Sequence, residues 1–141
     1  MDVLFLDANF LFSAAYRSNA GLRRIWDLEE VEIISSEYAV EEARRNLSER
    51  AQQERLDRLL RMTRIVPESS ARVYEPGSGA ESLPSKDLPI LAAAVGGRAT
   101  HLLTGNVTHF GHLLGRRVGD VAVLTPSQCL ARRLGESREA E

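Results

Sequence analysis

Cysteine is almost missing from this chain. Cys129 is the single one in 141 residues, which excludes an intrachain disulfide and zinc sites of the multi-cysteine kind. A free cysteine ordinarily behaves as a small buried apolar residue, and Cys129 is expected to do so on the last helix. Lysine is equally scarce, since Lys86 is the only one among 18 basic residues. Long apolar runs are lacking too: the segment from Met1 to Asp7 has an acid at each end of a run far too short for a membrane span or a signal peptide. A reducing, cytoplasmic setting with no membrane contact is the expectation. Excess positive charge is absent as well, with 18 basic against 20 acidic side chains, a net charge of −2 and a pI near 6.0. That excludes a strongly basic nucleic-acid domain but leaves room for a local basic strip.

Several phosphate-handling signatures are also lacking. No glycine-rich loop ends in Lys-Ser/Thr, and no Gly-x-Gly-x-x-Gly follows the first apolar run. A haloacid-dehalogenase-like phosphatase needs Asp-x-Asp there, whereas Ala8 and Asn9 follow Asp7. A response-regulator receiver needs a lysine at the end of a late strand, and Lys86 is in the wrong place. His101, His109 and His112 are scattered and have no cysteine partners, so they do not form a metal motif.

What is present is a regular alternation. Val3–Leu6, Val31–Ile34, Ile65-Val66, His101–Leu103 and Val121–Leu124 are short continuous apolar runs, the pattern of strands covered on both faces. Between them, helical spacing is predicted from Leu11 to Tyr16, at Leu22, Ile25, Trp26 and Leu28, from about Glu37 to Leu47, from Glu49 to Met62, from Asp87 to Val95 and from Ser127 to Leu134. Ser35 or Ser36, Ser85 and Ser127 are candidate helix caps, and Pro89 is tolerated in a first turn. Strand–helix alternation implies right-handed crossovers and a parallel sheet. The expected fold is α/β: three α/β/α layers around a central parallel sheet of about five strands, in a single domain over residues 1–134. Residues 67–84 read as a long exposed loop and 135–141 as a frayed tail. Phe12, Tyr16 and Trp26 follow the helical apolar faces and are assigned to core or dimer contacts rather than to base stacking.

Between Glu41 and Arg64 seven arginines stand against five acids. Glu41–Arg45, Glu54–Arg58 and Asp57–Arg61 are spaced four apart with the acid first, the favourable order on a helix. A solvated, salt-bridged face is the plain reading; a strip that binds phosphates is the functional one.

In open parallel sheets ligands bind outside the carboxyl ends of the strands. Asp7 ends the first run, with Asn9 two residues on; Ser35 and Ser36 end the second; Thr104-Gly105-Asn106 ends the fourth. Asp87 opens the helix before that strand, and Glu41 or Glu42 lies one turn into the helix after the second. Clustered carboxylates repel, so protonation or a cation must offset their cost. Oxygen donors without His or Cys thiolates suit Mg²⁺ or Mn²⁺, ions that bind phosphates and activate water.

These residues resemble the PIN-domain ribonucleases, including VapC-type toxins of toxin–antitoxin pairs. Val3-Leu4-Phe5-Leu6-Asp7-Ala8-Asn9 is similar to the first strand of that family with its metal-binding Asp. Ser36 to Ala43, with Leu47 after it, resembles the helix bearing the family's Glu, with register favouring Glu42 and Glu41 as the alternative. Lys86-Asp87-Leu88-Pro89-Ile90-Leu91-Ala92-Ala93-Ala94 resembles the block carrying the next Asp, and Thr104-Gly105-Asn106 with His109-Phe110 the strand end where many members have Thr-Gly-Asp. The resemblance implies a Mg²⁺- or Mn²⁺-dependent endoribonuclease acting on single-stranded RNA, with Asp7, Glu42 and Asp87 as metal ligands and Asn106 in the catalytic set. Asn9, Ser36, Lys86, Thr104 and His109 would support the acids or meet substrate. It also implies a homodimer and an antitoxin partner. Asn106 departs from the common acid, which weakens the case for a second metal; one well-held ion, with another arriving with substrate, is the expectation. The alternative is a catalytically weak module of the same fold that binds RNA or a protein.

Overall fold

The computed structural model describes residues 1–67, 87–105 and 110–132. In chain order they form β1 (Asp2–Leu6), α1 (Ala8–Tyr16), a 3-10 segment (Gly21–Asp27), β2 (Val31–Ser36), α2 (Glu37–Asn46), α3 (Arg50–Leu60), β3 (Arg64–Val66), α4 (Leu88–Gly96), β4 (His101–Leu103), a 3-10 turn (Gly111–Leu113), β5 (Arg117–Val118) and β6 (Val121–Leu124). Residues 126–132 are helical and close the described chain. The strands make one six-stranded sheet in the order β3-β2-β1-β4-β6-β5. Every pairing is parallel except β5 with β6.

β1 lies at the centre because its sequence allows nothing else. Leu4, Phe5 and Leu6 are all but inaccessible, so a strand of continuous apolar residues needs a helical layer on each face. β2 pairs along one side, Leu4 opposite Ile33, and β4 along the other, Leu6 opposite Leu103. β1 to β2 to β3 steps one way and β3 to β4 returns across the sheet; right-handed crossovers therefore put α1, α2 and α3 over one face and α4 over the other. α1 packs on both α2 and α3. α4 has no charged residue, and Ile90 through Ala94 are all buried, the composition of a helix enclosed all round. Its end sits close to the sheet: a Cβ on Gly97 would stand 3.0 Å from the Ala93 carbonyl and 3.2 Å from Val66.

The α/β architecture expected from the apolar runs is observed, with three corrections. The sheet has six strands rather than about five; Arg117-Val118 is a two-residue edge strand in a hairpin with β6, too short to show a pattern. The Gly21–Asp27 segment is 3-10 rather than α-helical. The last helix begins at Pro126 rather than Ser127, with its cap two residues earlier than expected, at Thr125: the Thr125 hydroxyl accepts from the Gln128 amide at 3.1 Å while the Gln128 side chain accepts from the Thr125 amide at 2.9 Å. Pro126 fits inside that first turn because its missing N–H would have no partner there.

The three expected acid-first pairs do not form among the described residues. Asp57 instead meets Arg44 at 2.9 Å, tying α3 to α2, and Glu54 meets Arg50 at 3.4 Å. Arg64 on β3 pairs with Glu32 on β2. Cys129 is buried, as expected, and Trp26 packs edge-on against Phe10 in the core. The expected loop over 67–84, apart from Pro67, together with Ser85 and the 135–141 tail, lies outside the described residues. Among the described residues no helix is long and apolar enough to cross a membrane.

Candidate metal and active site

The carboxyl ends of β1, β2 and β4 meet in a rim of buried polar groups. Asp7 leaves β1 and caps α1, with Oδ1 accepting from the Phe10 amide at 2.8 Å. Its own amide donates to the Leu103 carbonyl at 3.3 Å, so the cap is tied to the end of β4. Thr104, fully buried just past β4, donates its hydroxyl to the Asp7 carboxylate and anchors its backbone on Leu124 at 3.0 Å. Ser35 donates to the Leu6 carbonyl at 2.8 Å, fastening β2 to β1. Ser36 caps α2, accepting from the Ala39 amide at 3.2 Å; of the two candidate serines, this one performs the capping. Its effect on the acids is to start α2 where Glu42 falls on the rim.

Asp7, Glu42 and Asp87 line one cleft of about 360 Å³, with Ala8, Asn9, Phe12, Asn46 and Ile90 completing its walls. Glu41, the alternative to Glu42, is exposed on the outer side of α2 and does not line it. Asp87 precedes α4 but makes no capping hydrogen bond to it, so the helix start alone does not explain the residue. It is 6% exposed. Asn9 lies against the backbone of Gly105, where a Cβ would come within 2.6 Å of Asn9 Oδ1. Any side chain larger than hydrogen at 105 would displace Asn9 from the rim.

Electrostatics set this cleft apart. Burial, chiefly, together with the Asp87 and Glu42 charges, raises the Asp7 carboxyl from 3.8 to about 6, against the hydrogen bonds from Thr104 and Phe10, which oppose the rise without cancelling it. Tyr38, one turn before Glu42, is also raised, by burial first and then by Glu42 and Asp87, with Arg45 pulling the other way. Its hydroxyl therefore senses both acids.

The donor set fits a hard cation: carboxylate oxygens from three elements, with no thiolate or imidazole lining the cleft among the described residues. Oδ2 of Asp87 is enclosed and accepts no hydrogen bond from the protein, although that residue has other interactions. Among the described residues no three acidic, His or Cys side chains stand close enough together to ligate one ion. Holding an ion between Asp7, Glu42 and Asp87 therefore requires their side chains to swing inward.

The structure thus brings Asp7, Asn9, Glu42 and Asp87 to one cleft, with Thr104 behind Asp7 and Ser36 at the head of α2. Lys86, Asn106 and His109 lie outside the described residues. His101 on β4 is hydrogen-bonded to Thr100 at 2.8 Å, and neither it nor His112 lines the cleft. Sequence reasoning missed Tyr38 and Asn46, yet a signal existed: Tyr38, Glu42 and Asn46 recur every four residues, one stripe of α2. Asn46 also donates to the Glu42 carbonyl at 2.9 Å.

No protein-family model matches the sequence, and no curated protein matches it either. Solved structures do. One similar chain belongs to VapBC2 from Rickettsia felis bound to a DNA fragment from their promoter, with a TM-score of 0.58, 16% identity, and coverage of 87% of this chain and 98% of that one. Another belongs to VapBC-1 from nontypeable Haemophilus influenzae, with a TM-score of 0.58, 15% identity, and coverage of 89% and 98%. The likeness runs through the backbone far more than through the side chains. The chain therefore has the PIN fold of VapC-type proteins, the fold its strand ends and acidic blocks resemble.

Proposed function

We propose that this protein is a metal-dependent endoribonuclease that hydrolyses phosphodiester bonds of single-stranded RNA. The observation that carries this reading is the convergence of Asp7, Glu42 and Asp87, from three separate elements, on one cleft at the carboxyl edge of the sheet. Bound Mg²⁺ or Mn²⁺ would supply charge neutralisation and a water of lowered pKa. Asp7 and Asp87 would hold the ion from the floor of the cleft and Glu42 from the α2 wall. Thr104 keeps the Asp7 carboxylate in one orientation by donating to it. With its carboxyl raised to about 6, Asp7 would be more readily ionised with a cation in the cleft, and metal affinity would fall as pH drops below that value. Asn9 lies at the cleft, where its amide can donate to a phosphate oxygen, and Asn106 and His109, which follow Thr104-Gly105 in sequence, are proposed to complete the site. Lys86, next to Asp87 in sequence, is proposed to meet phosphate.

The test is cleavage of single-stranded RNA with and without added Mn²⁺. Wild type is expected to cut only with metal, and Asp7→Asn and Asp87→Asn to stop cutting while remaining folded. Metal-independent cutting, or full activity in both variants, overturns the assignment. A second reading, a module of this fold with weak catalysis, draws on the carboxylates not being gathered around one point; calorimetry showing no Asp7-dependent Mn²⁺ binding would select it. The likeness to chains of two VapBC complexes supports a further proposal, that the protein is held by an antitoxin-like protein partner; a homodimer is proposed beside it.

A further inference from the structure

Beyond the acidic cleft, α1 has a second functional end. At its carboxyl terminus Arg55, reaching over from α3, donates Nε to the Ala15 carbonyl at 2.8 Å and Nη2 to the Tyr16 carbonyl at 3.0 Å. That guanidinium is fixed in place, and Arg23 and Arg58 line the same pocket of about 420 Å³ together with Ser18. Among the described residues no carboxylate lines it. The ion pairs among the described residues use Arg44, Arg50 and Arg64, and none involves Arg23, Arg55 or Arg58. Arg58 also borders Glu54 and Asp57 in the adjoining hollow, but those acids pair with Arg50 and Arg44 instead, so the three arginines leave positive charge facing the hollow that an anion from outside could meet. Guanidinium groups match the geometry of phosphate oxygens.

The surface between cleft and pocket indicates which anion. Phe12 forms part of the cleft wall, and Tyr16 is next on the same side of α1, one turn on and 46% exposed, their rings 5.2 Å apart and tilted. Aromatic faces accept nucleobases whatever their sequence, whereas an acidic peptide would gain little from them. α1 spans about 12 Å at 1.5 Å per residue. A stacked strand advancing about 3.4 Å per nucleotide covers that length in about four nucleotides.

We propose that Arg23, Arg55 and Arg58 form a phosphodiester-binding subsite that anchors single-stranded RNA about four nucleotides from the cleft, with the intervening bases lying over Phe12 and Tyr16. The proposal rests on the ribonuclease reading for the direction of the strand, and it solves a problem that reading creates: three carboxylates repel a phosphate, so the strand needs a hold elsewhere.

Binding of a labelled twelve-nucleotide single-stranded RNA is measured in the Asp7→Asn background, to prevent cutting, over a range of salt concentrations. Arg55 is left intact because it caps α1. The Arg23→Gln/Arg58→Gln pair is expected to weaken binding at least tenfold and to reduce the slope of log K against log salt by about 1.4, the value for two lost phosphate contacts on a single strand. A trinucleotide should be insensitive to the same changes, and Arg117→Gln on the distant edge strand should change twelve-nucleotide binding less than twofold. Equal binding and slope in the paired variant, while wild type still cuts RNA, overturns the subsite and leaves the ribonuclease reading standing. No RNA binding by wild type overturns both. Arginine-dependent binding of an acidic dodecapeptide, with RNA binding unaffected, also overturns the subsite, in favour of a protein ligand.

Discussion

Two sets of buried polar groups lie within this domain, and they are satisfied in opposite ways. Gln52 and Thr63, on the α3 side, have local partners for every need: Gln52 accepts from the Glu49 amide at 3.1 Å and donates to the Tyr16 carbonyl at 3.3 Å. Thr63 donates to the Leu59 carbonyl at 2.7 Å and accepts from the Trp26 indole at 3.0 Å. Both are neutral, so hydrogen bonds suffice. At the other end of α1, Asp7 also accepts two hydrogen bonds, yet burial still drives its carboxyl to about 6. Hydrogen bonding answers desolvation of a neutral group but not of a charge with two like charges nearby. Buried polarity that is complete holds the fold; buried charge that is incomplete awaits a ligand.

The largest expected effect separates the two sets by metal. Asp7→Asn and Asp87→Asn should each lower Mn²⁺ affinity by more than about a hundredfold in calorimetric titration, whereas Thr63→Val should leave it within about twofold. Comparable losses in all three would erase the distinction.

Stability in the absence of metal should move the other way at the acidic end. The folded-state value of Asp7 lies above its unfolded one, so folding favours the protonated form, and Asp7's contribution to stability is fully present below pH 3.8 and is lost as pH rises through about 6. The full shift corresponds to about 3 kcal/mol. Asp7→Asn, which keeps a capping oxygen, should therefore stabilise the chelator-treated protein at pH 7.5 by about 2–3 kcal/mol and leave it nearly unchanged at pH 4, as read by urea denaturation. A destabilised variant at pH 7.5 would contradict the account of Asp7. Thr63→Val should cost about 1–2 kcal/mol by leaving the Trp26 N–H without its acceptor. Smallest of all, Arg50→Ala removes an exposed pair and should change stability by less than about 0.5 kcal/mol.

Much of the fold was legible because apolar strands and capped helices are local patterns. Val3–Leu6 announced a covered central strand, Ser36 the start of α2, and Asp7 the residue at the strand end. Three kinds of feature were not legible. β5 is two residues long and exists only because β6 offers it an edge. Thr125 caps the last helix through a reciprocal bond with Gln128 that spacing alone did not distinguish from Ser127. Asp57 chose Arg44 on a neighbouring helix over Arg61 on its own, a choice made by the α2–α3 turn. At the cleft, strand-end logic points to the acids, whereas Tyr38 and Asn46 carry no charge and are legible only from the face of α2 that also carries Glu42.

The position of β4 between β1 and β6 has a consequence for synthesis on the ribosome. β1, β2 and β3 are consecutive and can pair as soon as the first 66 residues emerge. β1's second edge waits for residues some hundred positions later; Val3 and Thr100 exchange hydrogen bonds across a separation of 97. Contacts of such span form late, after the loop entropy has been overcome. Asp87 and Thr104 arrive with that same late half. A nascent chain that has not yet reached Thr104 thus carries Asp7 and Glu42 but no assembled cleft, and whatever chemistry the cleft performs begins only after that later segment has emerged and folded.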